Sequence, residues 1–253
     1  MPLTNPIFIY GIRYDGTIRE GDDLPSIVIR ETESSGIKLQ DRDIVILSHT
    51  IVSKALGLKV SLSKVRPGPM AISLAERFGR RPEAVEIILR ESRAIARAER
   101  NRLITLARSG IVSANSQVDH SNVGCEDEVV IAPRNPDVIA RRMRMRFQSM
   151  GYDVAVILTD TLGRPFRLGE VNFAMGCAGI APINDLRGKA DLYGMILRIK
   201  RIAIVDELAA SSELVTGSSS EGVIGAIVRG YRYEGSEMGA RSLARPVAKE
   251  LFL

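Results

Sequence analysis

The run Val154-Ala155-Val156-Ile157-Leu158 constrains the fold of this chain more than any other stretch. Five apolar, largely β-branched residues in succession, without polar alternation, specify a strand buried on both faces. Thr159, Asp160 and Thr161 follow at once, and a glycine-punctuated loop is expected from there to Gly179. Small oxygen-bearing side chains at the end of a buried strand suit a hard cation, because the strand fixes them and the loop leaves room for a ligand. Gly163-Arg164-Pro165-Phe166-Arg167 adds two guanidinium groups in a stiffened turn. Arginine forks suit phosphate or carboxylate oxygens. A capped turn with two surface arginines is the plainer alternative.

The same arrangement of apolar strand and polar loop recurs along the chain. Phe8 to Asp23 reads as a strand and a loop containing Thr17-Ile18-Arg19-Glu20, followed by a helix from Leu24 with acidic residues near its N-terminus, where the helix dipole favours them. Asp43 to Leu47 is a second buried strand, and Ser48-His49-Thr50 to Lys54 continues as a short helix or turn ending at Gly57, a plausible anion site. Leu103 to Ala107 and Ile111 to Ala114 flank Ser109-Gly110 and read as a β-hairpin. That hairpin runs into the polar stretch Asn115 to Gly124, which carries Asp119. Asp119 and Asp160 on facing loops would form a carboxylate pair able to hold Mg²⁺ or Mn²⁺; an Asx turn is the alternative for Asp119.

From Pro69 to Arg102 the spacing predicts helix, with Pro82 starting a segment whose Val85, Ile88, Leu89, Ser92, Ile95 and Ala96 share one face. Arg90, Arg93, Arg97 and Arg100 fall opposite, a solvated stripe with Glu86, Glu91 and Glu99 as ion-pair partners. Pro136 to Gly151 is a second basic helix. A strand is expected over Met195 to Val205 and a helix over Leu208 to Val215. The donor-rich loop Thr216 to Gly222 then precedes another buried strand, Val223 to Val228. It could cradle phosphates through backbone N–H groups or serve as a connector. Neither a Walker-type nor a Rossmann glycine motif occurs.

A net charge of +5 is compatible with anionic small ligands or nucleic acid, but only 5% of residues are aromatic and none is Trp, so stacking platforms for single strands are poorly supplied. Nucleic acid is therefore not expected as a partner. No run is long and apolar enough to span a bilayer and the N-terminus lacks a signal-peptide pattern, so a cytoplasmic location is expected. Cys125 and Cys177 have neither disulfide-framework nor zinc-site spacing and read as structural thiols.

In this order and at these spacings, DDLPSIV, DIVILSHTIVSKALG, GIVSANSQVDHSNVG, TDTLGRPFRLGEVNFAMGCAG, NDLRGKADLYG and DELAASSELVTGSSSEG…IVRG resemble the coenzyme F420-0:γ-glutamyl ligase family over roughly Gly11 to Gly230. The resemblance implies a GTP- and metal-dependent ligase that joins L-glutamate to F420-0 through an acyl phosphate. It implies one or two divalent ions, Mg²⁺ or Mn²⁺, with K⁺ as a candidate accompanying ion. Carried over by position, Asp119, Asp160 and Thr161 look like metal ligands, joined at the corresponding position by Ser218. Thr17, Ile18, Arg19, Glu20, His49, Thr50, Lys54 and Asn122 look like GTP-site residues. Thr216, Gly217, Ser218, Ser219, Ser220, Glu221, Gly222 and Val223 match the loop that closes over the nucleotide. Arg164, Arg167 and Arg187 are added from side-chain chemistry as catalytic clamps on phosphate oxygens.

The chain departs from the family pattern at Ser218, where an acidic or amide side chain is usual. A hydroxyl is a weaker, neutral donor; Glu221 could take over, or a second metal be lost. Leu168 and Asn172 also stand where many relatives carry charge. The expected fold is α+β, mixed sheets covered by helices in one ligase unit over 1–253, with a division into two subdomains as the alternative, resembling an intertwined homodimer. Two other readings stay open: a GTP- and metal-dependent ligase with another acid or amine, and a nucleotide- or RNA-binding relative without ligase chemistry.

Overall fold

A computed structural model of the chain describes residues 6–99 and 101–245, so Arg100 of the basic stripe lies outside the described residues. In chain order the strands are β1 (Phe8–Arg13), β2 (Ile44–Ser48), β3 (Lys59–Ser61), β4 (Ser92–Glu99), β5 (Arg102–Ala107), β6 (Val112–Ala114), β7 (Val118–Asp119), β8 (Glu128–Ile131), β9 (Ala155–Arg164), β10 (Arg167–Ala178), β11 (Asn184–Asp185), β12 (Arg201–Ile202) and β13 (Val223–Arg229). The helices are α1 (Leu24–Ser34), α2 (His49–Ala55), α3 (Pro69–Phe78), α4 (Pro82–Arg90), α5 (Pro136–Ser149) and α6 (Ile204–Thr216). The α+β expectation of mixed sheets covered by helices holds. None of the described helices is long and apolar enough to cross a membrane.

The largest sheet has the order β1-β13-β2-β9-β10, antiparallel except for the central β2/β9 pair. Its central strands are apolar on both faces because both are covered. Val45, Leu47, Val156, Leu158 and Ile227 point into a core with Val28 of α1, Val52 of α2 and Phe147 of α5. Ile44, Ile46, Ile157 and Val228 point the other way, onto Val205 and Leu208 of α6. This two-residue alternation between two buried cores gives the unbroken apolar runs. A third core, with Leu62, Phe78, Ile88, Leu103 and Val129, ties α3 and α4 to the smaller sheets β3-β8-β7 and β4-β5-β6.

Glycine permits one close contact that anchors the long hairpin. A Cβ on Gly176 of β10 would lie 2.4 Å from the carbonyl carbon of Pro136, so only glycine lets α5 start directly against this strand. Asp137, in the first turn of α5, accepts the Cys177 N–H at 2.9 Å and the Ala240 N–H at 2.8 Å. An acidic side chain in that turn also complements the helix dipole.

The structure corrects the sequence reading in three places. The helix starting at Pro82 ends at Arg90, and Ser92 to Glu99 form an edge strand, not the continuation of a helical face. The Ser92 hydroxyl turns back to the Ile88 carbonyl at 2.6 Å and meets the Ser116 hydroxyl at 2.6 Å. Competition of this kind from a serine side chain helps to end a helix. The arginine stripe is therefore divided between α4 and β4: Arg90 pairs with Glu86 and Arg97 with Glu99, each at 2.8 Å, while Glu91 pairs with Arg134 instead.

Second, the segment after Leu158 is not a loop, because β9 continues to Arg164 and pairs with β10. Third, the strand expected over Met195 to Val205 shrinks to Arg201–Ile202, and α6 begins at Ile204. The 184–202 segment is a mostly exposed arm, with Leu192, Tyr193 and Ile199 at 99%, 95% and 89% exposure. It lacks the covering layer that a buried strand requires.

Candidate active site

The parallel register of β2 and β9 sets Ser48 beside Thr159, so the next residue of each strand, His49 and Asp160, meet at the C-terminal end of the pair. His49 opens α2 and is 3% exposed. Its Nε2 lies 3.2 Å from Asp160 Oδ1. The same oxygen accepts the Thr161 N–H at 2.8 Å, and Oδ2 accepts the Gln117 carboxamide N–H at 2.8 Å. Burial opposes charge on both groups, but their mutual attraction prevails. His49 is raised above its ordinary value, helped by Asp119, and Asp160 is lowered, helped by Gln117 and Thr161. Each group thus favours the charged form of the other, while His49 Nδ1 is buried without a hydrogen-bond partner.

Asp119, at the end of β7, faces the same open cleft of about 2470 Å³. Its Oδ2 accepts the Ser121 hydroxyl at 2.8 Å and, at 3.4 Å, that of Thr50; its Oδ1 accepts the Ser121 N–H at 2.7 Å. The Thr161 hydroxyl donates to Asn172 Oδ1 at 2.8 Å, which leaves its own lone pairs available to the cleft. Among the described residues neither Asp119 nor Asp160 forms an ion pair with a lysine or arginine. Two carboxylates and a threonine hydroxyl make an all-oxygen donor set, which fits Mg²⁺ or Mn²⁺ by chemistry. Among the described residues no group of three His, Cys, Asp or Glu side chains has metal-binding geometry, so water or substrate oxygens would complete a coordination shell.

The 216–223 loop, entered at the C-terminus of α6 through Gly217 with φ +62°, lines the same cleft. Asn122 Nδ2 donates to the Ser219 carbonyl at 3.3 Å, and Lys54 Nζ donates to the Asn122 carbonyl. The Asp119 loop, α2 and the closing loop are thereby joined across the cleft. Burial, with Lys59 adding repulsion, lowers the Lys54 ammonium below its ordinary value against the pull of Asp119. The Ser218 hydroxyl donates to Glu213. Glu221 instead accepts the Ser219 N–H at 2.8 Å within its own loop, so Glu213 is the carboxylate held next to Ser218.

Most of the candidate residues line this one cleft: Thr17, Ile18, His49, Thr50, Lys54, Asp119, Asn122, Asp160, Thr161, Arg164, Arg167 and the whole of 216–223. Arg164 and Arg167 stand opposite each other at the tip of the β9/β10 hairpin. Three residues are placed elsewhere. The Arg19 backbone N–H donates to Asp22 at 2.7 Å in a surface turn. Glu20 is exposed and lies against Gly57. Arg187 is forked onto Asp185 at 2.5–3.0 Å on the exposed arm, outside the cleft lining, so a neighbouring carboxylate occupies the guanidinium expected to clamp phosphate. Sequence reasoning missed Gln117 and the role of Asn172 as partner of Thr161. Neither carries a local signal, because the Asn172 contact depends on the pairing of β9 with β10 and the Gln117 contact on the 115–117 turn that carries it to Asp160.

Comparison with known proteins adds an independent line. A family model described as F420-0:Gamma-glutamyl ligase matches residues 11–230. The chain is 40% identical over 249 residues to a protein of Methanothermobacter thermautotrophicus, covering 97% of this chain and 98% of that one. It is 42% identical over 241 residues to one of Methanopyrus kandleri, covering 93% of each. It is 37% identical over 215 residues to one of Methanocaldococcus jannaschii, covering 85% and 86%. Each of these relatives is named coenzyme F420:L-glutamate ligase.

Proposed function

The chain belongs to the F420-0:γ-glutamyl ligase family and is a ligase, and on that premise we propose that it joins L-glutamate to coenzyme F420-0 in a GTP- and divalent-metal-dependent reaction. The observation that carries the nucleotide and metal part is that Asp119, Asp160 and Thr161 line one cleft together with a serine- and glycine-rich loop.

In this reading the terminal carboxylate of F420-0 attacks the γ-phosphorus of GTP, GDP leaves, and the glutamate amine displaces phosphate from the resulting acyl phosphate. Phosphoryl transfer asks the protein for position and charge stabilisation more than covalent participation. Asp119, Asp160 and Thr161 would hold Mg²⁺ or Mn²⁺, which when bound neutralises charge developing on phosphate oxygens. His49 keeps Asp160 ionised and oriented. Lys54 supplies positive charge beside the closing loop, and backbone N–H groups of 216–222 offer donors to phosphate. Arg164 and Arg167 at the hairpin tip supply guanidinium groups to the acyl phosphate or the substrate's own phosphate.

The assembly is a homodimer in this reading. Leu168 at the hairpin tip and Leu192, Tyr193 and Ile199 on the arm, all at least 89% exposed, are the apolar surface that a second copy would cover.

Hydroxylamine trapping tests the chemistry. With F420-0, GTP and Mn²⁺ but no glutamate, an F420-0 hydroxamate should form and should vanish with chelator. GTP turnover that yields no hydroxamate, while ligation proceeds when glutamate is restored, would remove the free acyl phosphate from the scheme.

A further inference from the structure

The three residues that precede β7 have an unusual backbone. Asn115, Ser116 and Gln117 have φ of +55°, +52° and +61°. Consecutive left-handed residues other than glycine are disfavoured for L-amino acids, and such conformations persist where the surroundings enforce them, often at functional sites. The enforcement is visible here. Arg80, just beyond the C-terminus of α3, donates to the Asn115 side chain at 2.7 Å and to the Asn101 carbonyl at 3.0 Å. The Ser116 hydroxyl is buried between those of Ser92 and Thr105, 2.6 Å from each.

What this turn delivers is a buried carboxamide. Gln117 is 5% exposed; its Oε1 accepts the Ser109 hydroxyl at 2.5 Å and its Nε2 donates to Asp160 Oδ2 at 2.8 Å. The orientation of the amide follows from its neighbours, since an ionised carboxylate can only accept. Gln117 thereby joins the turn of the small β4-β5-β6 sheet to the middle of β9. Asp160 is held on both oxygens, with one lone pair, on Oδ2, left for the cleft.

Building on the metal reading of the site, we propose that Gln117 is a positioning residue for Asp160: the left-handed turn and the Ser109–Gln117 relay fix the carboxylate's rotation for cation binding. Glycine accepts the positive φ that Gln117 adopts, so Gln117→Gly removes the carboxamide without removing the turn.

The test is titration of the purified full chain with Mn²⁺ alone, read by the electron paramagnetic resonance of the free ion, with a thermal melt of each variant. Loss of a partner that orients a metal ligand typically weakens binding 10- to 100-fold. The Mn²⁺ Kd of Gln117→Gly should therefore rise by about 10-fold or more in a variant that still melts cooperatively, at a lower Tm because a buried side chain and its two hydrogen bonds are lost. Ser109→Ala, which leaves the backbone untouched, should shift Kd in the same direction by about 3-fold, less than a full orienting partner. An unchanged Kd in a folded Gln117→Gly overturns the proposal. So does failure of that variant to fold, which would assign Gln117 to the architecture instead. If the unaltered protein does not bind Mn²⁺, or Asp160→Asn binds it equally well, the metal reading itself fails and takes this proposal with it; the unaltered and Asp160→Asn titrations identify that case.

Discussion

Asp160→Asn separates a residue that serves the fold from one that serves the chemistry. The substitution is nearly isosteric, so packing around the 13%-exposed side chain stays intact. Asp160 accepts three hydrogen bonds, from His49, Thr161 N–H and Gln117. Each loses its charge assistance, about 1 kcal/mol apiece and roughly 3 kcal/mol gross. Against this stands relief from keeping a charge in a buried position, itself several kcal/mol. The relay can also adapt: the new amide donates towards Gln117, Gln117 turns its carbonyl to accept, and the Ser109 hydroxyl reverses to accept from Gln117 Nε2. The expected net change in stability is under about 2 kcal/mol, measured by urea denaturation. Activity should nevertheless fall at least about 100-fold, the scale for losing one electrostatic partner of a transition state. Mass spectrometry of the glutamylated product at saturating GTP, with a parallel Mn²⁺ titration, reads the effect. A folded variant retaining activity within about 5-fold, with Mn²⁺ affinity unchanged, would refute the reasoning, because that loss is below the expected scale.

Three further outcomes follow from groups outside the metal ligands. Hydrogen bonds from Ser63 and Arg81, with help from Ser61, hold the Asp127 carboxyl down at about 2, below its ordinary 3.8. Because the folded value is depressed, the stabilisation is complete above the ordinary value and disappears as pH falls through about 2; an NMR titration of the Asp127 carboxyl carbon with a midpoint near 3.8 would contradict this. Burial, with Asp137 nearby, pushes the Cys177 thiol up to about 12, whereas Cys125 is exposed. A thiol reagent at neutral pH should modify one cysteine in the native protein and both after unfolding, and peptide mapping should find Cys125 first. Leu192→Glu combined with Tyr193→Glu should convert a dimer to monomer in light scattering; an unaltered protein already monomeric at micromolar concentration contradicts the proposed assembly.

Those features whose signal is local were legible in the sequence. The apolar runs at 44–47, 154–158 and 223–228 announced the doubly covered strands, and Ser109-Gly110 marked the β5/β6 turn. Proline positions gave the starts of α4 and α5. Segments whose conformation is decided by distant partners were misread. Ser92, Ile95 and Ala96 continue the helical spacing of α4, and only pairing with β5 makes them a strand. Thr159, Asp160 and Thr161 look like loop residues because polar groups end the apolar run, yet β10 pairs with them and carries the ladder on to Arg164. The 195–200 stretch is apolar enough for a strand, but its side chains lie on the surface. For the site, Asp119 and Asp160 stood out as acids placed after apolar strands. Gln117 did not, because its importance comes from a left-handed turn fixed by Arg80, Ser92 and Thr105, residues 12 to 37 positions away in the chain.

The most direct test of the central claim is the mass of the product. Purified protein with F420-0, L-glutamate, GTP and Mn²⁺ should yield F420-0 heavier by glutamyl, in a reaction abolished by chelator and by omission of GTP. No mass gain from a folded, GTP-binding protein under these conditions, or an equal gain without nucleotide, would contradict the account.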